Sequence, residues 1–422
     1  MTQESEQIVE HLFRTEYGKI VAILTRYFGA SHIQLAEDIV QETLIAAMND
    51  WGVKGIPSNP TGWLVQVAKR KALNEVKRNQ MMQKHHAAEF FSQESQAPMS
   101  DTFLKGEIED SQLRMIFTCC HSSLDSKSQI ALTLKTLCGF GAKEVARALL
   151  TTESTINKRL YRAKEKIRDS GIPFKIPQGK ELNQKLDSVS LSLYLLFNEG
   201  YNSTDGNSII QKELCLEAIR LTKLLVDHFE QNPKLSALLA LMCFHTARFD
   251  ARIDDHGAII LFEDQDRDCW NKDLIHIGMY HLKNAIQGNT LSTYHIEARI
   301  AAEHCLADSF EKTDWKLIHE QYVLLEKLKP SPIIHLNLAI IESKLQGVEA
   351  SLSLLEDLAK SEELKGYHLL PATQGIFHMK LQRYDRAAEF LSKALNLKPS
   401  KRETALIKSK IATCEKLLPK KN

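Results

Sequence analysis

An all-α chain is what the sequence predicts: two small helical modules, then a long block of successive helix pairs. Three observations predict it. Apolar residues recur at helical spacing along nearly every stretch. The 422 residues hold only 18 glycines and 11 prolines, too few for the turn about every ten residues that an all-β chain requires. Two compact basic helices stand out from a chain of net charge +1. Lys69 to Lys84 carries six basic residues against Glu75, and Lys158 to Arg168 carries six against Glu165. Such clusters are either two contacts with a polyanion or two solvated helix faces.

Composition narrows the class. Hydrophobic residues make up 43% and charged residues 25% of the chain, the balance of a soluble globular protein. At this length, two to four domains are expected. No uncharged apolar run approaches the roughly 20 residues of a membrane span. The start, MTQESEQIVEHLF, is polar and acidic, unlike a secretory signal. Eight scattered cysteines without a CxxC pair read as reduced thiols, so a cytoplasmic protein is expected.

Punctuation sets the boundaries. Residues 52–60 (GVKGIPSNP) form a loop inside the first helical region, and residues 80–107 read as a polar linker. Residues 171–179 (GIPFKIPQG), with two prolines, end a long basic helix. The expected organisation is 8–79, linker 80–107, 108–170, a helical extension 171–290 and helical repeats 291–422.

Residues 8–48 read as two helices. In the second, Leu35, Ile39 and Val40 are the apolar positions. Glu37, Asp38, Gln41 and Glu42 lie at i, i+3 and i+4 offsets and share a neighbouring acidic face. That face could dock on a basic partner or simply be solvated. Asn59-Pro60-Thr61 starts the next helix, which runs to about Asn79. Leu64, Val65, Ala68, Ala72 and Val76 gather on one side. Trp63, Arg70, Lys71, Asn74, Lys77 and Arg78 gather on the other, offering charge for phosphate and an amide and a ring for bases. Trp63 could equally pack inside.

The second module carries a helix-turn-helix pattern: Ile130–Leu137, Ala142–Leu150, and a third helix over about Glu153–Asp169, with Thr152 or a neighbour as its cap. Ile156, Leu160, Ala163 and Ile167 fall on one arc of that third helix. Ser154, Thr155, Lys158, Tyr161, Arg162 and Lys166 lie away from it. This arrangement fits a recognition helix, with N-terminal residues at base edges and later basic residues on phosphates.

Taken together, these segments carry a family resemblance. LAEDIVQETLIAAM (35–48) and NPTGWLVQVAKRKALNEVKRN (59–79) resemble region two of bacterial RNA polymerase sigma factors. SQIALTLKTLCGFGAKEVARALLTTESTINKRLYRAKEKIR (128–168) resembles their region four. A short linker in place of regions one and three is similar to the extracytoplasmic-function (ECF) group. LYLLFNEGYNST (193–204) and LFEDQDRDCW (261–270) look like an ECF subgroup with a long fused C-terminal extension. The resemblance implies that Asp38, Gln41 and Glu42 dock on the clamp-helix coiled coil of the β′ subunit. It implies that the 52–60 loop and the helix after it, with Trp63, Arg70, Lys71, Asn74, Lys77 and Arg78, open and hold the −10 element. Helix 153–168 would read the −35 element, and its domain would touch the β flap. Core polymerase and promoter DNA would be the partners. The reaction chemistry would belong to the polymerase, with no cofactor or metal in this chain.

Residues 384–399 (YDRAAEFLSKALNLKP) resemble the second helix of a tetratricopeptide repeat, with Ala387, Ala388, Leu391, Ala394, Leu395, Leu397 and Pro399 at fitting positions. Residues 336–358 look like a degenerate copy. Such a stack is either a protein- or peptide-binding platform or a structural extension. Between the helices, Asp254-Asp255-His256-Gly257 reads as a turn, and Ala258–Leu261 as a short strand or buried run. Glu263, Asp264, Asp266 and Asp268 cluster around Arg267. They are read as a polar network with Arg248, Arg252 and Arg267 rather than as a metal site. Cys119-Cys120-His121 lacks zinc-ligand spacing. Two other functions stay open: a helix-turn-helix regulator that binds DNA without polymerase, and a tetratricopeptide-type scaffold.

Overall fold

The structure is a computed structural model, and it describes residues 3–82, 105–201, 208–254, 257–288 and 290–418. It is 78% helical, with 18 α-helices among the described residues and no strand beyond one isolated antiparallel bridge, Ile253 to Ile259. The chain divides into two compact units, residues 1–199 and 200–422.

In the first unit, α1 (Gln3–Phe28) and α2 (Ile33–Lys54) are joined by a 3₁₀ turn. α2 runs into the expected loop and stops where Gly55 adopts φ +79° and returns its N–H to Trp51 O at 2.9 Å. α3 (Pro60–Met82) starts with proline in its first turn, where a missing N–H costs nothing. Asn59 Oδ1 accepts the Gly62 N–H there at 2.9 Å. α4 (Lys105–Cys119) is the next described helix, and most of the expected linker, residues 83–104, lies outside the described residues. α5 (Ser126–Thr136) begins four residues before the expected helix, because Asp125 caps it by accepting from Ser128 N. α6 (Ala142–Ala148) leads to α7 (Glu153–Asp169). Its cap is Thr152, whose hydroxyl accepts the Thr155 N–H at 3.2 Å. α8 (Lys180–Tyr201) holds on to the segment before it: Ser192 Oγ donates to Gln129 Oε1 at 2.6 Å and Ser188 Oγ to Cys120 O at 3.2 Å. The compact unit therefore continues past residue 170.

In the second unit, α9 (Ser208–His228), α10 (Pro233–Ala247) and α11 (Lys272–Ile286) precede α12 (Thr293–Leu306), α13 (Trp315–Leu328), α14 (Pro332–Leu345), α15 (Val348–Leu358), α16 (Leu369–Lys380), α17 (Tyr384–Asn396) and α18 (Lys401–Leu417). α10 is buried nearly all round, the pattern of a central helix. From α12 on, the cores follow one another along the chain. α14 gives Ile334 and Ile341 to a core shared with α12 and α13, and Leu336 and Ala339 to the next. α16 repeats this, giving Leu370 and Phe377 to the earlier core and Ala372 to a last one with Leu391, Ala394 and Ile407. Helices with two apolar faces make a stack in which each pair depends on its neighbours.

The segment between α10 and α11 corrects one expectation. Gly257 adopts φ +82° and donates its N–H to Asp254 O at 2.9 Å, while Asp255 and His256 of the expected turn lie outside the described residues. Arg248, Arg252 and Arg267, however, make no ion pair with Glu263, Asp264, Asp266 or Asp268. Arg252 donates to Tyr201 O at 2.6 Å and lies 4.0 Å above that ring. Arg248 stacks 4.0 Å from Phe262, and Arg267 donates to the carbonyls of His304 and Ala307 at 2.7 and 2.6 Å. Aromatic faces and carbonyls hold the guanidiniums, while Glu263 pairs with Lys344 and Lys380. The described residues contain no cluster of three or more potential metal ligands.

Candidate polymerase and DNA interfaces

Asp38, Gln41 and Glu42 are all exposed on α2. Glu37, expected to share their face, is buried at 1% exposure. It occupies the apolar stripe with Ile33 and Val40, at i−4 and i+3 from it, and both of those are buried too. Past the acidic residues the same exposed face continues into Ile45 and Met48, which are 58% and 63% exposed.

α3 divides as its periodicity requires. Leu64, Ala68 and Ala72 are buried and Val65 and Val76 half-buried, while Arg70, Asn74, Lys77 and Arg78 are exposed. Trp63 is half-buried, its ring 5.4 Å from the buried Trp51 in an edge-to-face contact. Lys71 Nζ pairs with Glu42 Oε2 at 2.9 Å, so the acidic face of α2 and the basic face of α3 meet. Arg78 pairs with Glu75 at 2.7 Å.

On α7, Ile156, Leu160, Ala163 and Ile167 are buried, and Ser154, Thr155, Lys158, Tyr161, Arg162 and Lys166 are all exposed. The basic side fronts a cleft of about 300 Å³ whose lining includes Ser123, Asp125 and Arg159. Arg159 is a basic residue in that cleft which periodicity alone did not single out.

α7 also faces the first module. Lys164 forms an ion pair with the buried Glu37 and donates to Gln34 Oε1 at 2.7 Å. Thr136 Oγ1 donates to Glu37 Oε1 at 3.2 Å. Further along the seam, Arg14 pairs with Glu144 at 2.7 Å and lies 4.7 Å above the Phe140 ring. Gly18 abuts the Leu137 backbone so closely that a Cβ would run into its carbonyl. A cleft of about 480 Å³ follows the seam, lined by Gln41 from α2 and Tyr161 from α7 among others. Of the side chains paired across the seam, the sequence pattern assigns only Glu37, and to a solvent-facing acidic face. The apolar register of Glu37 was the one signal for it.

Cys119 and Cys120 are fully buried. Burial pushes the Cys120 thiol up to about 11 against hydrogen bonds from Thr133 and Ser192, which leaves it protonated at neutral pH. No helix among the described residues is long and apolar enough to cross a membrane.

Three family models match parts of the chain. Residues 12–81 match sigma-70 region 2, residues 114–167 match sigma-70 region 4, and residues 185–286 match a family of unknown function, DUF6596. An uncharacterized protein of Rhizobium meliloti (strain 1021), R00370, is 34% identical over 390 residues, covering 92% of this chain and 91% of that one. The chain thus carries sigma-70 regions 2 and 4 in order, with exposed basic faces on α3 and α7, and these two regions support a sigma-70-family RNA polymerase factor, which implies binding to core polymerase and promoter DNA.

Proposed function

We propose that the chain is an ECF-type sigma factor whose C-terminal helical block, a tetratricopeptide-like stack, regulates it. Asp38, Gln41 and Glu42 dock on the β′ clamp helices. Trp63, Arg70, Lys71, Asn74, Lys77 and Arg78 hold the −10 strand, and Ser154, Thr155, Lys158, Tyr161, Arg162 and Lys166 read the −35 duplex, with the β flap against the same domain. The single observation that carries this reading is α7: four buried apolar residues on one side, and on the other a continuous exposed row of hydroxyl, ring and basic groups behind a capped N-terminus. Such a helix fits the major groove, about 12 Å wide. The chain performs no covalent chemistry in this scheme. Core polymerase holds two weak DNA modules at fixed separation, which raises their effective concentration on one promoter.

The Glu37–Lys164 seam adds a condition. Gln41 of the α2 docking face and Tyr161 of the α7 docking face line one cleft with Glu37 and Lys164, so both docking faces border the same ion pair. An α-helix is about 10–12 Å across, and a DNA duplex is wider still. A clamp helix on α2 and a duplex on α7 therefore require the modules to part.

Run-off transcription tests the reading. Purified bacterial core polymerase is given genomic fragments with and without the chain, and transcript starts are sequenced. New starts sharing two upstream elements are expected. No new starts, together with no core binding by either the full chain or a Lys164→Gln variant, would overturn it.

A further inference from the structure

The segment before α11 meets α12, α13, α14 and α16 around a cleft of about 370 Å³, within the size range of small-molecule sites. Its aromatic wall is an interlocked chain of rings. Phe262 stands edge-on to Phe310 at 5.7 Å, and Phe310 to Trp315 at 5.1 Å. His304 bridges Phe262 and Trp315 at 4.7 and 5.5 Å, and Tyr322 also lines the cleft. Phe262, Phe310, Trp315 and Tyr322 are only half-buried, so the wall is not covered by the fold.

The charges say what the cleft takes. Its lining holds two ammoniums, Lys344 and Lys380, against one carboxylate, Glu263. That carboxylate is shared at 3.5 and 3.2 Å, longer than a tight charge-assisted bond. Arg248 adds a guanidinium behind Phe262 at 4.0 Å. Asp308 and Glu311 act on Arg267, and Glu311 also acts on Lys344, but neither carboxylate lines the cleft. The place a cationic ligand would occupy is filled by the chain itself: Lys344 Nζ lies 4.4 Å over Phe310 and 5.8 Å from Trp315.

We propose that this cleft binds a small organic carboxylate with a flat apolar body, the ring chain taking the body and Lys344 and Lys380 taking the charge. Glu263 is then a resident carboxylate that the ligand's own carboxylate competes with or displaces. No residue of the polymerase or DNA interfaces takes part, and binding is read on the free chain whether or not it initiates transcription.

Isothermal calorimetry on the full chain tests this with three probes of one shape: naphthoate, naphthamide and naphthyltrimethylammonium. Naphthoate is expected to bind one site at least roughly tenfold tighter than naphthamide, the preference of a charge-assisted contact. Lys344→Gln with Lys380→Gln removes that preference, and the paired arginine substitutions keep it. Glu263→Gln tightens naphthoate severalfold, a gain that a misfolded variant cannot give. Equal affinity for naphthoate and naphthamide, preference for the ammonium probe, no binding of any probe, or weaker naphthoate binding by Glu263→Gln would each overturn the proposal.

Discussion

Glu37 and Asp38 are chain neighbours with opposite fates. Asp38 is exposed, while Glu37 is buried and bound by Lys164 and Thr136. The acidic pattern was legible, but a count of charges does not see which of them share the apolar stripe. On α7 the reverse holds: each expected outward residue is exposed, because a 100° step per residue leaves little freedom once Ile156, Leu160, Ala163 and Ile167 are buried. Arg162→Ala should cost about 1–3 kcal/mol at one promoter position if the side chain reads a base, or weaken binding uniformly if it holds phosphate. A panel of −35 variants in a binding assay decides, and unchanged affinity throughout would remove Arg162 from the interface. Two histidines give a pH prediction. Burial and nearby arginines push His245 and His304 down to about 3, whereas each takes up a proton near pH 6.5 when unfolded. The unfolded chain binds more protons throughout that window. The contribution of each histidine to stability is therefore complete above about pH 6.5 and falls below it, by up to ~1.4 kcal/mol per pH unit. Thermal midpoints between neutral and mildly acidic pH should fall less steeply for His304→Gln than for the parent chain.

Helices were easier to find than their partners. α3, α6 and α7 lie where periodicity and capping residues put them, and in α17 the expected Ala387, Leu391 and Ala394 are buried. Which face meets which neighbour depends on residues far apart in sequence, as with Arg14 and Glu144, and no local pattern encodes that. The seam between α2 and α7 makes a sharp prediction. Removing one member of a buried ion pair typically costs about 3–5 kcal/mol. Lys164→Glu should therefore part the modules, seen as a larger radius of gyration in small-angle scattering and tighter core-polymerase binding. Adding Glu37→Lys should restore the compact form, and a double variant that stays expanded would count against the pair as the latch. Within the stack, a Cβ on Gly375 would come 2.7 Å from Leu391 Cγ and 3.2 Å from the Ala387 carbonyl. Gly375→Ala should cost about 1–3 kcal/mol through overpacking, measured by chemical denaturation.

For the whole molecule, sequence punctuation and compactness mark different places. Two prolines at 173 and 177 signal a turn of the chain, yet the first unit continues to residue 199, because α8 hydrogen-bonds to the stretch around Cys120 and Gln129. A turn residue reports local backbone geometry and says nothing of whether the next helix folds back. The cleft of the second unit was invisible for a related reason, since Glu263 finds Lys344 and Lys380 across 81 and 117 residues. Charge distribution does reach the scale of function. If α7 alone engages duplex through Lys158, Arg162 and Lys166, the free chain should bind with a log–log salt slope of about −3, and the polymerase complex more steeply as α3 joins. Equal slopes would mean that the second basic helix makes no contact. The seam also limits how such factors can be recombined. A region 4 transplanted from another chain with no cation at the position of Lys164 would leave Glu37 buried without its ion-pair partner. On the proposed function, promoter preference could be rewritten on the outward row of α7 alone, whereas an exchange of the whole module keeps the seam only where the incoming residue still pairs with Glu37.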